Sequence, residues 1–148
     1  MPPLSGWANR PRPLGTGHSL LVMPLLNAIG IVTSDMARSI RLYRVLGVEL
    51  PETPDEGHVD TLLPNGIRFM LDTEGEVRKF DPQWRRETGN QLGLAFECQD
   101  PAQVDEVYAQ LIEAGFHADK EPWDAFWGQH YAQVRDPDGV VVALYAAL

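Results

Sequence analysis

The chain repeats itself, and the repeat limits what it can fold into. Four landmarks recur in the same order: Gly30 with Gly93, Asp35 with Asp100, Gly47 with Gly115, and Pro64-Asn65-Gly66 with Pro137-Asp138-Gly139. Their offsets are 63, 65, 68 and 73 residues, widening by loop insertions without losing order. Asn27 to Thr33 is a short β-prone run. Asp35 caps a helix whose apolar residues Met36, Ile40, Tyr43 and Leu46 recur at helical spacing, and Gly47 stops it. Val48-Glu49-Leu50 begins a strand, and His58 to Leu63 is another. The Pro64-Asn65-Gly66 turn then leads into a strand over Ile67 to Thr73. In the second half Gln91 to Cys98 is β-like, and Asp100-Pro101 starts a helix with the stripe Val104, Val107, Tyr108, Leu111, Ile112. Gly115 stops that helix. Strands follow near Phe116 to Lys120 and Gln129 to Arg135, and Pro137-Asp138-Gly139 turns into Val140 to Ala146. The pattern predicts an α+β fold of two tandem βαβββ modules, about 26–75 and 90–147, joined by a charged linker over 76–89. Each module carries one helix on one face of a small mixed sheet. The other face must meet a second sheet, a partner chain or a ligand.

Residues 1–23 break the pattern. Pro2, Pro3, Pro11 and Pro13 with Gly6, Gly15 and Gly17 show neither strand nor helix period, which reads as a flexible Pro/Gly-rich arm ahead of one domain over 24–148. With 21 acidic against 12 basic residues the net charge is -9, so the basic face of a general nucleic-acid binder is missing. One cysteine, Cys98, excludes a disulfide framework and any Cys-rich zinc site. No run of 18 apolar residues spans a membrane, and no apolar signal core stands behind a basic head, so the expectation is a cytoplasmic protein.

Specific residues sharpen the repeat into a resemblance. They are Ala28-Ile29-Gly30-Ile31-Val32 with Asp35 and the stretch Tyr43 to Leu50 in the first half. In the second they are Trp127-Gly128-Gln129 and Val134-Arg135-Asp136-Pro137-Asp138-Gly139, then Leu144-Tyr145. These resemble the vicinal oxygen chelate superfamily, which includes glyoxalase I, extradiol dioxygenases and bleomycin-resistance proteins. The resemblance covers about 26–147. It implies two paired βαβββ modules whose mixed sheets curl around a cavity, commonly in a homodimer. In metal-dependent members four His, Glu or Gln side chains from first and last strands hold one divalent ion. Carried over by counting from the strand and turn glycines, those places are Ala28, Met70, Gln91 and Ala143. One amide among methyls and a thioether is far too little for a hard cation, so no metal and no cofactor are expected.

An apolar cavity would then take a different occupant. Period-2 alternation puts Arg68 and Asp72 on the face of Met70, and Val141 and Tyr145 on that of Ala143. Trp123, Phe126, Trp127, His130 and Tyr131 form a dense aromatic cluster able to offer flat faces to planar or cationic ligands. Trp84, in the linker, fits either a flap or a hydrophobic pin. The candidate binding set is therefore Arg68, Met70, Asp72, Trp84, Gln91, Trp123, Trp127, His130, Ala143 and Tyr145. His58 and His130, each expected to begin the third strand of its module, are the catalytic candidates, because imidazole titrates near neutrality. Asp60, Asp72 and Glu97 are acids that either histidine, or Arg68, could meet. The expected function is metal-independent binding or sequestration of a small aromatic or cationic molecule, similar to bleomycin-type antibiotic resistance. The alternative is a lyase, isomerase or dioxygenase of the same superfamily, metal-dependent or metal-free.

Overall fold

The computed structural model describes residues 24–87, 89 and 91–148, so the N-terminal arm lies outside the described residues. In chain order the elements are β1 (Ala28–Thr33), α1 (Met36–Val45), β2 (His58–Leu62), β3 (Arg68–Thr73), α2 (Glu74–Arg78), β4 (Gly93–Glu97), α3 (Pro101–Glu113), β5 (His117–Ala125), β6 (Gln129–Arg135) and β7 (Val141–Ala147). They form an α+β fold with two mixed sheets, one ordered β1-β3-β2 and the other β4-β7-β6-β5. In each sheet the first strand runs parallel to the last and the remaining neighbours are antiparallel.

The two long helices, α1 and α3, begin as the sequence says they should. Asp35 is extended and accepts the backbone N–H of Arg38; Asp100 does the same for that of Gln103. Each sheet then turns one face to its helix. Ile31, Val59, Phe69 and Leu71 lie against Ile40 and Tyr43 of α1, with the Tyr43 and Phe69 rings 4.8 Å apart. Ala132, Val134, Val142, Leu144 and Ala146 lie against Val104 and Leu111 of α3. All belong to a single buried cluster, so the two modules share one core. A fully buried Leu or Phe there contributes about 1.5–3 kcal/mol.

The Asp136-Pro137-Asp138-Gly139 turn joins the modules. Asp136, 4% exposed, accepts the Tyr43 hydroxyl at 2.8 Å and the backbone N–H groups of Asp138 and Val140. Asp138 accepts the backbone N–H of Ser34 and pairs with Arg86 at 3.3 Å. The motif that carried the resemblance is thus a structural rivet between halves.

Two expectations need correction. Val48-Glu49-Leu50 is not a strand, so the first sheet has three strands and the first module is βαββ. Val48 and Leu50 are apolar because both are buried in the core, and the Leu50 N–H turns back onto the Val48 carbonyl at 2.8 Å, just ahead of Pro51. Burial produced the alternation there without a ladder. The module–linker boundary at 75/76 also shifts: α2 runs across it, with the Thr73 hydroxyl accepting the Glu76 N–H. As a result His58 begins the second strand of its module, and His130 is the second residue of β6.

Candidate functional site

The strand registers superimpose the two modules residue by residue. In the first sheet, the face away from α1 carries three rows: Ala28, Arg68 and Leu62; Gly30, Met70 and Asp60; Val32, Asp72 and His58. In the second sheet the matching rows are Gly93, Val141 and Arg135; Ala95, Ala143 and Gln133; Glu97, Tyr145 and Tyr131. β5 extends the last row by pairing Trp123 with Tyr131.

This register corrects the alignment by glycines. The counterpart of Ala28 is Gly93, and that of Gly30 is Ala95. Gln91 lies two residues ahead of β4 and outside the sheet. The strand glycines share a residue type but not a place, and the capping aspartates, 65 residues apart, give the true offset.

The row in the second sheet forms an aromatic wall. Trp123 and Tyr131 have ring centroids 5.3 Å apart, Trp127 and Tyr131 5.2 Å, and Trp123 and Trp127 5.9 Å, all nearly edge to face. Phe126 stands edge-on to Trp127 at the β5–β6 turn, fully open to solvent. The Trp127 indole N–H donates to Gln129, and the Gln133 amide donates to the Tyr131 hydroxyl. The Tyr145 hydroxyl donates to the Glu97 carboxylate at 3.3 Å; burial and the Glu97 charge raise that phenol above its ordinary range. Below the wall, Gly93, Ala95, Val141 and Ala143 make a low floor. The face therefore offers aromatic rings and a flat apolar base, with the Glu97 carboxylate at the aromatic end and the Arg135 guanidinium, paired with Asp119, at the other.

The matching face of the first sheet is ionic. His58 sits between two carboxylates, Nδ1 to Asp72 and Nε2 to Asp60, each at 2.7 Å. Arg68, 8% exposed, holds the other oxygen of Asp60. Burial opposes a charge on His58, but the hydrogen bonds the ring donates to Asp60 and Asp72 outweigh it and raise its pKa. The sequence offers Asp60 only as one of several nearby acids; its place opposite Met70 in the register makes it the bridge.

Three candidates fall elsewhere. His130 is on the helix side of β6, bonded to Asp105 of α3 and Asp124 of β5, so it does not face the aromatic wall. Trp84 is packed by the guanidiniums of Arg78 and Arg86, 5.4 and 5.7 Å from its ring centroid, as a pin would be. Arg86 then reaches the Val32 carbonyl, Glu74 and Asp138, tying the linker to the module seam. Gln91 is displaced as described above.

A family model, the Glyoxalase/Bleomycin resistance protein/Dioxygenase superfamily, matches residues 25–144. The chain belongs to this superfamily. Solved structures share the fold at low identity. A glyoxalase/bleomycin resistance protein/dioxygenase family enzyme from Burkholderia phytofirmans PsJN aligns with a TM-score of 0.70 and 20% identity, over 83% of this chain and 98% of that one. A glyoxalase-related enzyme from Fulvimarina pelagi aligns with a TM-score of 0.70 and 17% identity, over 84% and 88%. A lactoylglutathione lyase from Agrobacterium tumefaciens aligns with a TM-score of 0.59 and 19% identity, over 82% and 92%. A comparison with curated protein sequences found no match.

The places that the resemblance implies for metal ligands become, by strand register, Ala28, Met70, Gly93 and Ala143. They supply two methyl groups, a hydrogen and a thioether, and no oxygen or nitrogen side-chain donor. The Met70 methyl also lies 3.5 Å from where a Cβ on Gly30 would be, so the thioether fills part of that space. These residues do not fit a divalent ion. Among the described residues, no helix is long and apolar enough to cross a membrane.

Proposed function

We propose that the chain binds a small planar aromatic or cationic molecule without a metal, on the face of the four-stranded sheet away from α3. The row Trp123, Tyr131, Tyr145 and Glu97 carries this reading. Aromatic edges and faces favour a flat π-system, the Gly93–Ala95–Ala143 floor leaves room for it, and the Glu97 carboxylate favours a positive end. The acidic chain, with its net charge of -9, favours approach of a cation. The same reading takes 24–148 as one cytoplasmic ligand-binding domain, acting as a homodimer in sequestration of the bleomycin-resistance kind. Each aromatic contact contributes roughly 0.5–2 kcal/mol. Replacing both Trp123 and Trp127 by Ala should therefore weaken binding by about ten- to a hundredfold. The test is a fluorescence and calorimetry screen of planar aromatic cations, neutral aromatics and keto-acids, with and without added divalent ions. Saturable binding of an aromatic cation that ignores divalent ions supports the reading. Equal affinity in the double variant removes the aromatic face from it.

The enzymatic alternative rests on His58, the histidine on the first sheet's open face. Both its ring nitrogens are held by carboxylates, so it would have to give up Asp60 or Asp72 before handling a substrate proton. That cost favours the binding reading. Turnover of a keto-acid that disappears in His58→Gln would reverse the preference.

A further inference from the structure

We infer that His130 is a positioning residue: as an imidazolium it latches the β5–β6 hairpin to α3, and losing one proton opens the latch. The latch stands on its own geometry; only its importance for a ligand rests on the aromatic-face reading.

The argument begins with donors and acceptors. His130 Nδ1 meets Asp124 Oδ1 at 2.7 Å, and Nε2 meets Asp105 Oδ1 at 2.7 Å. Ionised carboxylates only accept. A neutral imidazole has one N–H and one lone pair, so either tautomer turns a lone pair toward a carboxylate. Only the doubly protonated ring satisfies both partners. The His130 side chain is 13% exposed, but Asp105 and Asp124 are 58% and 69% exposed, so a carboxylate that loses its donor turns to water and releases the ring.

The charges facing the ring come from two elements. Asp105 is contributed by α3 and Asp124 by β5; the β7 residue opposite, Ala146, carries none. Hydrogen bonds that the ring donates to Asp105 and then Asp124 raise the His130 pKa, and burial only partly offsets them. The sign follows: the latch is closed at and below the ordinary histidine range and opens as pH rises through the elevated value.

What the latch holds is the aromatic hairpin. Asp124–His130 and Trp123–Tyr131 are adjacent rungs of the β5–β6 ladder, with side chains on opposite faces. Trp127 lies in the turn between those strands. An ion-pair clamp on the helix side therefore fixes the end of the hairpin whose other side carries the cluster.

The experiment uses the full chain without ligand. NMR follows the His130 ring and the Trp123 and Trp127 indole N–H signals, assigned with Trp123→Phe and Trp127→Phe, through a pH titration. His130 should titrate above the ordinary imidazole value, and both indole signals should move with the same midpoint. In Asp105→Asn an amide N–H can meet the lone pair of neutral Nε2, so the midpoint should fall and the indole step with it. His130→Gln should abolish the step. Asp105 is an exposed residue, so the Asn variant keeps the test available should the Gln variant fold poorly. Indole signals that stay flat through the His130 midpoint would overturn the latch. So would a step persisting in His130→Gln, or an unmoved midpoint in Asp105→Asn. Because no ligand is used, failure here leaves the binding reading intact, and a failed ligand screen leaves the latch intact.

Discussion

Tyr43 shows how much one side chain does in this fold. Its ring packs on Phe69, and its hydroxyl crosses between modules to Asp136. Burial and the neighbouring Asp136 charge push the phenol far above its ordinary range, while burial also raises the Asp136 carboxyl. Tyr43→Phe keeps the packing and strips the carboxylate of a buried donor. Urea unfolding should then show a loss of about 1–3 kcal/mol, with activity on any ligand unchanged in kind. His58 gives a residue-scale pH prediction. Its pKa is raised, so its contribution to stability is complete below the unfolded value and is lost as pH rises through the folded one. His58→Gln should flatten that part of the stability–pH curve measured by chemical denaturation. An unchanged curve would mean that the Asp60 and Asp72 contacts do not form in solution.

At the scale of elements, caps and turns carry the repeat. Asp35 and Asp100 hold equivalent helix starts, and Gly66 and Gly139 hold equivalent turns at φ +89° and +86°. Asp100→Ala should cost about 1 kcal/mol by exposing the Gln103 N–H. Gly139→Ala should cost about 1–2 kcal/mol through backbone strain, since no atom lies within 4 Å of the added methyl. Thermal unfolding of the two variants measures both. The strand at Val48 to Leu50 fails at this same scale. Its residues are core material, and alternation alone cannot distinguish a side chain buried under a ladder from one buried under a loop. The helix in the linker was missed because a single turn, capped by Thr73, leaves too short a period to detect.

At the scale of the whole molecule, the shared core and the Asp136–Asp138 turn make the halves interdependent. Unfolding followed by tryptophan fluorescence and by far-ultraviolet circular dichroism should coincide in one transition. Two separated transitions would mean that the modules fold alone. Arg86→Ala should free the linker from Glu74, Val32 and Asp138 and raise protease cleavage between residues 79 and 87. The global transition should also fall, because the Asp138 side chain is only 3% exposed and loses its guanidinium partner, while the half-exposed Glu74 contact adds little.

The sequence by itself determined the duplicated α+β plan, the helix caps and the turn glycines. Each of those depends on local residue type or on order along the chain. Tertiary structure alone decided which residues meet. Register, not glycine counting, pairs Ala28 with the position of Gly93 and sets Trp123, Tyr131, Tyr145 and Glu97 in one row. It also sends His58 and His130 to opposite kinds of face. A one-residue difference in pairing moves every side chain to the other side of a sheet, and nothing in the linear spacing fixes that choice until both strands are packed against their helix.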